Sequence, residues 1–215
     1  MQNEFVGYFL AGFYTFVAIF YTLLVIKRNK KMGDSKCIHT GKRYSLHWFN
    51  HLTFRIFRIT IWLVCVIHVF WSGIDPYLIP ISTIDYPIVN LLGITMLIVG
   101  FQTAIASNMT LSYAWRSGID EESKASLVTQ GLYAFSRNPG FIGVGIAQVG
   151  FFLALPCVFS LVCMVIGLNA LRIQAKLEES FLRQYYQQQY EKYANAVPRW
   201  VLFLGTNKKS RKGNA

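Results

Sequence analysis

The sequence predicts an all-α integral membrane protein. Of its 215 residues, 53% are hydrophobic and only 14% are charged, a balance that is rare in soluble domains. Uncharged runs of about 15–22 residues recur along the chain, close to the length that spans a bilayer as a helix. We therefore expect about five transmembrane helices. The last two should form a helical hairpin, followed by a cytosolic amphipathic C-terminal helix.

The N-terminal region, residues 1–111, is expected to contain three of these helices and a basic loop at the membrane interface. A basic cluster at 27–31 closes the first apolar run. Residues 32–58 combine basic and aromatic side chains, which favours a position along the lipid headgroups. Pro76 and Pro80 should end the second run because proline lacks the amide hydrogen of a helix interior. The predicted spans are 6–26, 59–74 and 88–109.

Residues 112–200 are expected to form the second region, which contains a helical hairpin and the motifs described below. Two shorter apolar runs separated by Pro156 predict the hairpin. Their predicted bounds are 140–155 and 157–171. Each run covers only about 21–24 Å as a helix, so the second helix should continue past Arg172. From Leu177 onward, apolar and tyrosine side chains recur every three or four residues, which predicts an amphipathic helix that ends at Pro198.

The basic residues predict the orientation in the membrane. With the N-terminus outside and the spans alternating, all 21 Lys and Arg residues fall on one side, including those of the basic tail at 201–215. The other side carries three acids, Glu4, Asp75 and Asp85. Because cytoplasmic loops are enriched in Lys and Arg, we expect the functional site to face the cytosol. The net charge of +11 then indicates contact with membrane lipids rather than with nucleic acid.

Motifs of hydrolases and nucleotide-binding proteins are missing, including HExxH, Walker A and a GxGxxG after a strand. His47 and His51 stand four residues apart and could hold a metal, but no Cys or acid joins them at a useful spacing. We expect both rings to face the headgroups. The four cysteines have no spacing typical of zinc sites or disulfides. No metal site is therefore predicted.

A polar turn before the hairpin is the first candidate for a binding site. Asn138 is well placed as the N-cap of the next helix, with Pro139 at its first position. The amide groups at such a helix start favour an anionic or carboxylate-bearing ligand. Small residues from Gly140 to Gly150 leave one side of this helix without large side chains. Either that side packs closely against another helix, or a cofactor lies against its backbone.

Glu178 and Glu179 follow the hairpin, close to lipid, where other acids are sparse. A pair of acids is common on a solvated helix face. Carboxylates in this position could also accept hydrogen bonds from an ammonium group or a ribose hydroxyl. We predict that the polar turn and these acids meet at one membrane surface and hold a small cofactor.

Several motifs occur in a fixed order between Trp115 and Trp200. They are G-x-Y-x-x-x-R-N-P at 131–139, E-E-x-x-L at 178–182, Y-x-x-Y at 190–193 and V-P-R-W at 197–200. Together they resemble the isoprenylcysteine carboxyl methyltransferase family, in a bacterial type, and the related phospholipid methyltransferases. The resemblance implies a membrane enzyme that transfers a methyl group from S-adenosyl-L-methionine. It implies cofactor contacts at Leu127, Val128, Tyr133, Arg137, Asn138, Pro139, Gly140, Phe141 and Glu178.

The resemblance leaves the methyl acceptor and the catalytic residue open. Eukaryotic members have an Arg, implicated in binding the substrate carboxylate, where this chain has Gln174, and Arg172 lies nearby. Both are candidate substrate contacts. The implied acceptor is a lipid-like or prenylated small molecule with a reactive carboxylate, amine or thiol. The alternatives are a membrane reductase of the sterol-reductase type that uses NADPH, and a non-catalytic membrane anchor.

Overall fold

The computed structural model describes residues 2–32, 42–111 and 126–200. The helices in these ranges are α1 Gln2–Met32, α2 Leu46–Phe70, α3 Asp75–Leu78, α4 Pro87–Leu111, α5 Pro139–Ala154 and α6 Val158–Ala196. Short 3-10 turns occur at Ser72–Ile74 and Gly131–Ala134. The polar stretch at 112–125 and the predicted basic tail lie outside the described residues.

The predicted all-α membrane class is confirmed by the length and composition of the helices. Among the residues described, α1, α2, α4 and α6 are the four helices long and apolar enough to cross a membrane. Helix α5 has 16 residues and extends only about 24 Å, so the expected count of spans stays a prediction. The 39 residues of α6 extend about 58 Å, roughly twice the hydrocarbon thickness. We take its first part, which continues past Arg172 to about residue 176 and extends about 28 Å, as the span and the remainder as an extension beyond the membrane.

Two predicted boundaries in the N-terminal region are wrong. Helix α1 continues through the basic cluster to Met32, because Lys and Arg end a span without disfavouring a helix. Helix α2 begins at Leu46, so residues 46–58 belong to this helix and do not form a separate interfacial segment. The Oγ of Ser45 caps the helix by accepting a hydrogen bond from the Trp48 amide at 3.1 Å.

The end of α2 also differs from the prediction. The helix ends at Phe70, with Trp71 as an extended cap residue. Pro76 does not break it, because this proline lies in the first turn of the short helix α3, where its missing amide costs nothing. The chain after α3 is then held at the α5–α6 connection. The Ile81 amide donates to the Pro156 carbonyl at 2.9 Å, and the Val158 amide donates to the Ile79 carbonyl at 3.0 Å.

Glycines bring α4 and α5 into close contact. A Cβ added at Gly100 would lie 2.5 Å from the Ala147 nitrogen, and one added at Gly143 would lie 2.6 Å from the Ala104 nitrogen. Both distances are too short for any other residue at the present backbone separation. Of the two interpretations of the small residues on α5, close helix packing is therefore the correct one at Gly143.

The interior of the bundle is apolar and is shared by five helices. It contains Val6, Leu10, Cys65, Ile94, Leu97, Phe151, Ala154 and Cys163. On the α1 side, the rings of Phe13, Phe16 and Phe20 pack edge-on around Phe101 of α4, with centroids 5.6–5.8 Å apart. Large hydrophobic side chains on the outside, such as Phe5 and Ile88, are exposed, as expected where lipid covers the surface.

Helix α6 bends back toward the polar turn after it leaves the bundle. Gln187 has a φ of 45° and a ψ of −118° inside the helix, a backbone conformation that is strained for residues other than glycine. The Arg183 Nε lies 2.7 Å from the Glu191 Oε1 across this kink. The bend brings Tyr190, whose side chain is fully buried, and Tyr193 back against the residues that precede α5.

Candidate active site

One cavity of about 530 Å³ extends from the polar turn into the bundle interior. Its outer end is polar and is lined by residues such as Tyr133, Asn138 and Glu178. Its inner end is largely apolar and is lined by side chains of α1, α2, α4, α5 and α6, including Tyr14 and Leu97. The cavity thus joins a polar compartment at the end of the bundle to an apolar compartment between the helices.

The polar turn is fixed against the end of α6 by hydrogen bonds. The Tyr193 hydroxyl donates to the Tyr133 carbonyl at 2.7 Å, and the Arg137 amide donates to the Pro198 carbonyl at 3.0 Å. The Oγ of Ser136 donates to the Arg199 carbonyl at 2.9 Å. The G-x-Y-x-x-x-R-N-P and V-P-R-W motifs are therefore neighbours in space, although about 60 residues separate their bonded pairs.

Glu179 is the charged centre of this arrangement. Its carboxylate accepts hydrogen bonds from Asn138 Nδ2 at 2.8 Å and from Arg199 Nε and Nη2 at 2.9 and 3.0 Å, and Arg137 Nη2 lies 3.5 Å away. Burial alone would raise the pKa of Glu179. The hydrogen bonds from Arg199 and Asn138 and the charge of Arg137 outweigh burial, so the pKa lies below its ordinary value. We call Arg137, Asn138, Glu179 and Arg199 the Glu179 cluster.

The predicted N-cap position of Asn138 is confirmed. Asn138 occupies the N-cap position of α5 and Pro139 follows in the first turn, but the Asn138 side chain makes no cap hydrogen bond. Its side-chain nitrogen Nδ2 donates a charge-assisted hydrogen bond to the Glu179 carboxylate. The Asn138 backbone amide donates to Ser136 Oγ at 3.1 Å.

Glu178 lines the cavity and has few protein partners. Among the described residues, only Gln174 donates a hydrogen bond to it, from Nε2 at 2.9 Å. Burial raises the pKa of Glu178 to about 7, although the Gln174 hydrogen bond lowers it. Burial also raises the pKa of Tyr133 to about 12, offset in part by the hydrogen bond with Ser107 at 3.0 Å and increased by the charge of Glu178. Glu178 and Tyr133 are thus close enough to interact electrostatically.

Most of the residues predicted to form the site line this one cavity. They are Leu127, Val128, Tyr133, Arg137, Asn138, Gly140, Phe141, Gln174 and Glu178. Two predicted residues do not line it. Pro139 is buried at the start of α5, and Arg172 is exposed on α6.

Sequence analysis missed two parts of the site. Arg199 lies in the V-P-R-W motif, 20 residues from Glu179. This separation in the sequence gave no indication that the two side chains would pair. The predicted position of His47 and His51 at the headgroups is wrong. His47 is buried and His51 lines the cavity, because α2 starts early enough to carry both rings into the bundle. Their i, i+4 spacing placed them on one face but did not show which face.

A known protein family matches a range that contains much of this site. Residues 88–189 match the phospholipid methyltransferase family. The resemblance predicted from the motif order is confirmed, because the relatives below are named isoprenylcysteine O-methyltransferases.

The sequence is also similar to three curated proteins. Two probable protein-S-isoprenylcysteine O-methyltransferases, from Oryza sativa subsp. indica and subsp. japonica, are each 30% identical over 126 residues, which cover 56% of this chain and 64% of theirs. Protein-S-isoprenylcysteine O-methyltransferase B of Arabidopsis thaliana is 32% identical over 116 residues, or 52% of this chain and 58% of that protein. The chain thus spans less than two thirds of the length of these curated relatives. No solved structure gives a significant match.

Proposed function

We propose that this chain is an integral membrane methyltransferase that transfers the methyl group of S-adenosyl-L-methionine to a lipid-like acceptor. The observation that carries the proposal is the single cavity that joins Tyr133, Asn138 and Glu178 to the apolar interior. A water-soluble methyl donor fits the polar end, and the alkyl part of an acceptor fits the apolar end.

The polar end has a suitable set of groups for the methyl donor. The cavity volume of about 530 Å³ falls within the usual range of small-molecule pockets, about 300–1,000 Å³. In the described part of the chain, the Arg137 Nε and the Tyr190 hydroxyl are buried without hydrogen-bond partners, so both can donate to a carboxylate. Glu178 can accept from an ammonium group or a ribose hydroxyl. This combination suits a ligand that carries groups of both signs.

The remaining predicted residues complete the proposed cofactor contacts. Leu127, Val128 and Phe141 supply apolar surface, and Gly140 lets the ligand approach the start of α5. When bound, S-adenosyl-L-methionine supplies an electrophilic methyl group on a positively charged sulfur. The protein aligns the acceptor with this group and keeps water away from both. The Glu179 cluster holds the two sequence-distant walls of the pocket in place.

The proposed acceptor is a small molecule with an alkyl or prenyl chain. The inner wall includes Phe13, Val17 and Val144, which favour an apolar chain over a polar one. The polar end is proposed to face the cytosol, because all 21 Lys and Arg residues fall on one side of the predicted topology and cytoplasmic segments are enriched in Lys and Arg.

Incubation with methyl-labelled S-adenosyl-L-methionine and a total membrane lipid extract tests this proposal. Purified wild-type protein should transfer label to the lipid fraction. The Glu178→Gln variant should transfer it roughly 10–100-fold more slowly, the loss typical of a hydrogen bond to a charged group. Lys176→Gln, at an exposed position on the same helix, is the matched control and should keep wild-type activity. No transfer by well-folded wild-type protein to any lipid fraction would contradict the proposal.

A further inference from the structure

Helix α2 contributes a histidine to the cavity that no family motif includes. His51 lines the cavity, and its Nε2 is buried without a hydrogen-bond partner among the described residues. The ring of His47 packs against it, with centroids 4.6 Å apart and an interplanar angle of 68°. The His51 ring is therefore held in position and has a nitrogen available to a ligand in the cavity.

A chain of polar contacts connects this histidine pair to Glu178. His47 Nε2 lies 3.4 Å from Gln174 Nε2, and the same Gln174 nitrogen donates to Glu178 Oε1 at 2.9 Å. Asn50 Nδ2 donates to Gln174 Oε1 at 3.0 Å and to the Ala170 carbonyl at 3.1 Å. These bonds fix α2 against α6. They place the histidines beside the wall that contains the proposed cofactor ligand Glu178.

The same contacts argue against a carboxylate acceptor at this wall. Both ends of the Gln174 amide are already engaged, and Arg172 is exposed and does not line the cavity. Gln174 is uncharged and Arg172 lies outside the cavity, so neither provides a positive charge for the carboxylate of an acceptor. Arg137 is 3.5 Å from Glu179. Arg58 also lines the cavity, but it lies seven residues beyond His51, about 10 Å farther along α2.

We propose that His51 accepts the proton of the methyl acceptor, and that this acceptor is a lipid-borne amine or thiol. The proposal rests on the proposed function. The nucleophilic nitrogen or sulfur uses its lone pair to form a bond to the methyl carbon, and the carbon–sulfur bond of the sulfonium breaks. The electron pair of that bond stays on sulfur, which becomes a neutral thioether. The proton of the nucleophile moves to His51 Nε2, so atoms and charge balance.

Several ionisable groups contact His51 or line the same cavity, and they will influence its titration. On α2 they are His47 and Arg58. On the neighbouring helices, Tyr21 of α1 and Glu178 of α6 line the same cavity. A pH profile therefore identifies His51 only by comparison of the wild type with a variant at this position.

The test uses three amphiphiles with the same alkyl chain: dodecylamine, 1-dodecanethiol and dodecanoate. Each is incubated with methyl-labelled S-adenosyl-L-methionine and wild-type, His51→Gln or Arg55→Gln protein. Arg55 is exposed on α2 and does not line the cavity, so its variant controls for disturbance of the helix. Binding of S-adenosylhomocysteine is measured for every variant by calorimetry. A His51→Ala variant, assayed with and without added imidazole, is the second probe of the same position.

We expect the wild type to methylate the amine or the thiol faster than dodecanoate. His51→Gln should bind S-adenosylhomocysteine within about 2-fold of the wild type but lose roughly 100-fold or more in kcat, the usual contribution of a positioned base. Its rate should rise with pH toward the pKa of the acceptor, and imidazole should partly restore His51→Ala.

Two results would overturn the inference. One is a His51→Gln variant with kcat and pH profile close to those of the wild type. The other is a preference of the wild type for dodecanoate. Both leave the proposed function intact, because methyl transfer still occurs. If the wild type neither binds S-adenosylhomocysteine nor transfers a methyl group to any of the three amphiphiles, the proposed function is rejected, and this inference with it.

Discussion

Two adjacent glutamates in this protein have different environments. Consecutive residues of a helix are about 100° apart around its axis, so Glu178 and Glu179 point in different directions although both line the cavity. Glu179 is surrounded by Arg137, Asn138 and Arg199. Glu178 accepts from Gln174. The contacts of Glu179 stabilise the fold of the site. The few contacts of Glu178 leave its carboxylate available for the proposed ligand.

Glu179→Gln should destabilise the protein. The substitution leaves Arg137 and Arg199 without their shared anion, and Arg137 is largely buried, with 12% of its side chain exposed. We expect the free energy of unfolding in detergent to fall by about 2–3 kcal/mol. Glu191→Gln removes a surface ion pair with Arg183 and should cost less than about 1 kcal/mol. Equal effects of the two substitutions would contradict the central role of Glu179.

The raised pKa of Glu178 predicts a pH dependence that separates stability from binding. The folded protein holds the Glu178 proton up to a pKa of about 7, above the ordinary value of 4.5. Between these values the folded state binds more protons than the unfolded state, so this group's contribution to stability falls as the pH rises from 4.5 to about 7. The loss should be absent in Glu178→Gln. It is measured as the pH-dependent difference in unfolding free energy between the two proteins.

Ligand binding should change in the opposite direction with pH. A charged Glu178 is the stronger acceptor, so wild-type affinity for S-adenosylhomocysteine should be higher at a pH above 7 than below it. An affinity of Glu178→Gln that follows the same pH curve as the wild type would contradict this assignment.

At the scale of single elements, sequence pattern predicted most helices and missed how two of them continue. Apolar runs predicted where the long helices lie, because lipid requires such runs, but they did not predict the bounds of α2. The early start of α2 depends on the burial of His47 and Asn50 against α6, which is a tertiary effect. The bend at Gln187 has no sequence signal, since glutamine is a good helix former. The packing of Tyr190 and Tyr193 onto the polar turn follows from that bend.

The α4–α5 contact gives a prediction with a control on the same helix. Gly143→Ala places a Cβ 2.6 Å from the Ala104 nitrogen, whereas Gly145→Ala places one 3.5 Å from the end of the Leu168 side chain. Gly143→Ala should therefore force the helices apart and cost about 1–3 kcal/mol. Gly145→Ala should leave the thermal midpoint in detergent nearly unchanged. A neutral Gly143→Ala would contradict the close packing.

Across the whole molecule, the motif order predicted the site better than any single residue did. The glycine-to-proline turn, the acidic pair and the C-terminal tyrosines are separated by a hairpin, and the fold brings them to one end of the bundle. Composition could not predict which residues line the cavity, because this depends on helix rotation. It also gave no indication of the Arg199–Glu179 pair. The role of each cavity residue in cofactor binding stays a prediction.

The orientation of the whole molecule is tested by cysteine labelling in intact cells. In a background without native cysteines, we expect a membrane-impermeant maleimide to label Ser82→Cys, at an exposed position between α3 and α4, from outside. Lys192→Cys, which is exposed near the site, should react only after the cells are opened. The expectation follows from the positive-inside rule, and the reverse pattern would place the site on the other face.

The central claim is that the turn before α5 and the acidic pair on α6 enclose one methyl-donor pocket, and calorimetric titration with S-adenosylhomocysteine measures this directly. The wild type and the exposed-site control Lys176→Gln should bind with the same Kd. Tyr133→Ala, in the polar turn, and Glu178→Gln, on α6, both change the cavity lining and should each weaken binding by roughly 10-fold or more. Undiminished affinity in both cavity variants, with the fold intact, would contradict the claim.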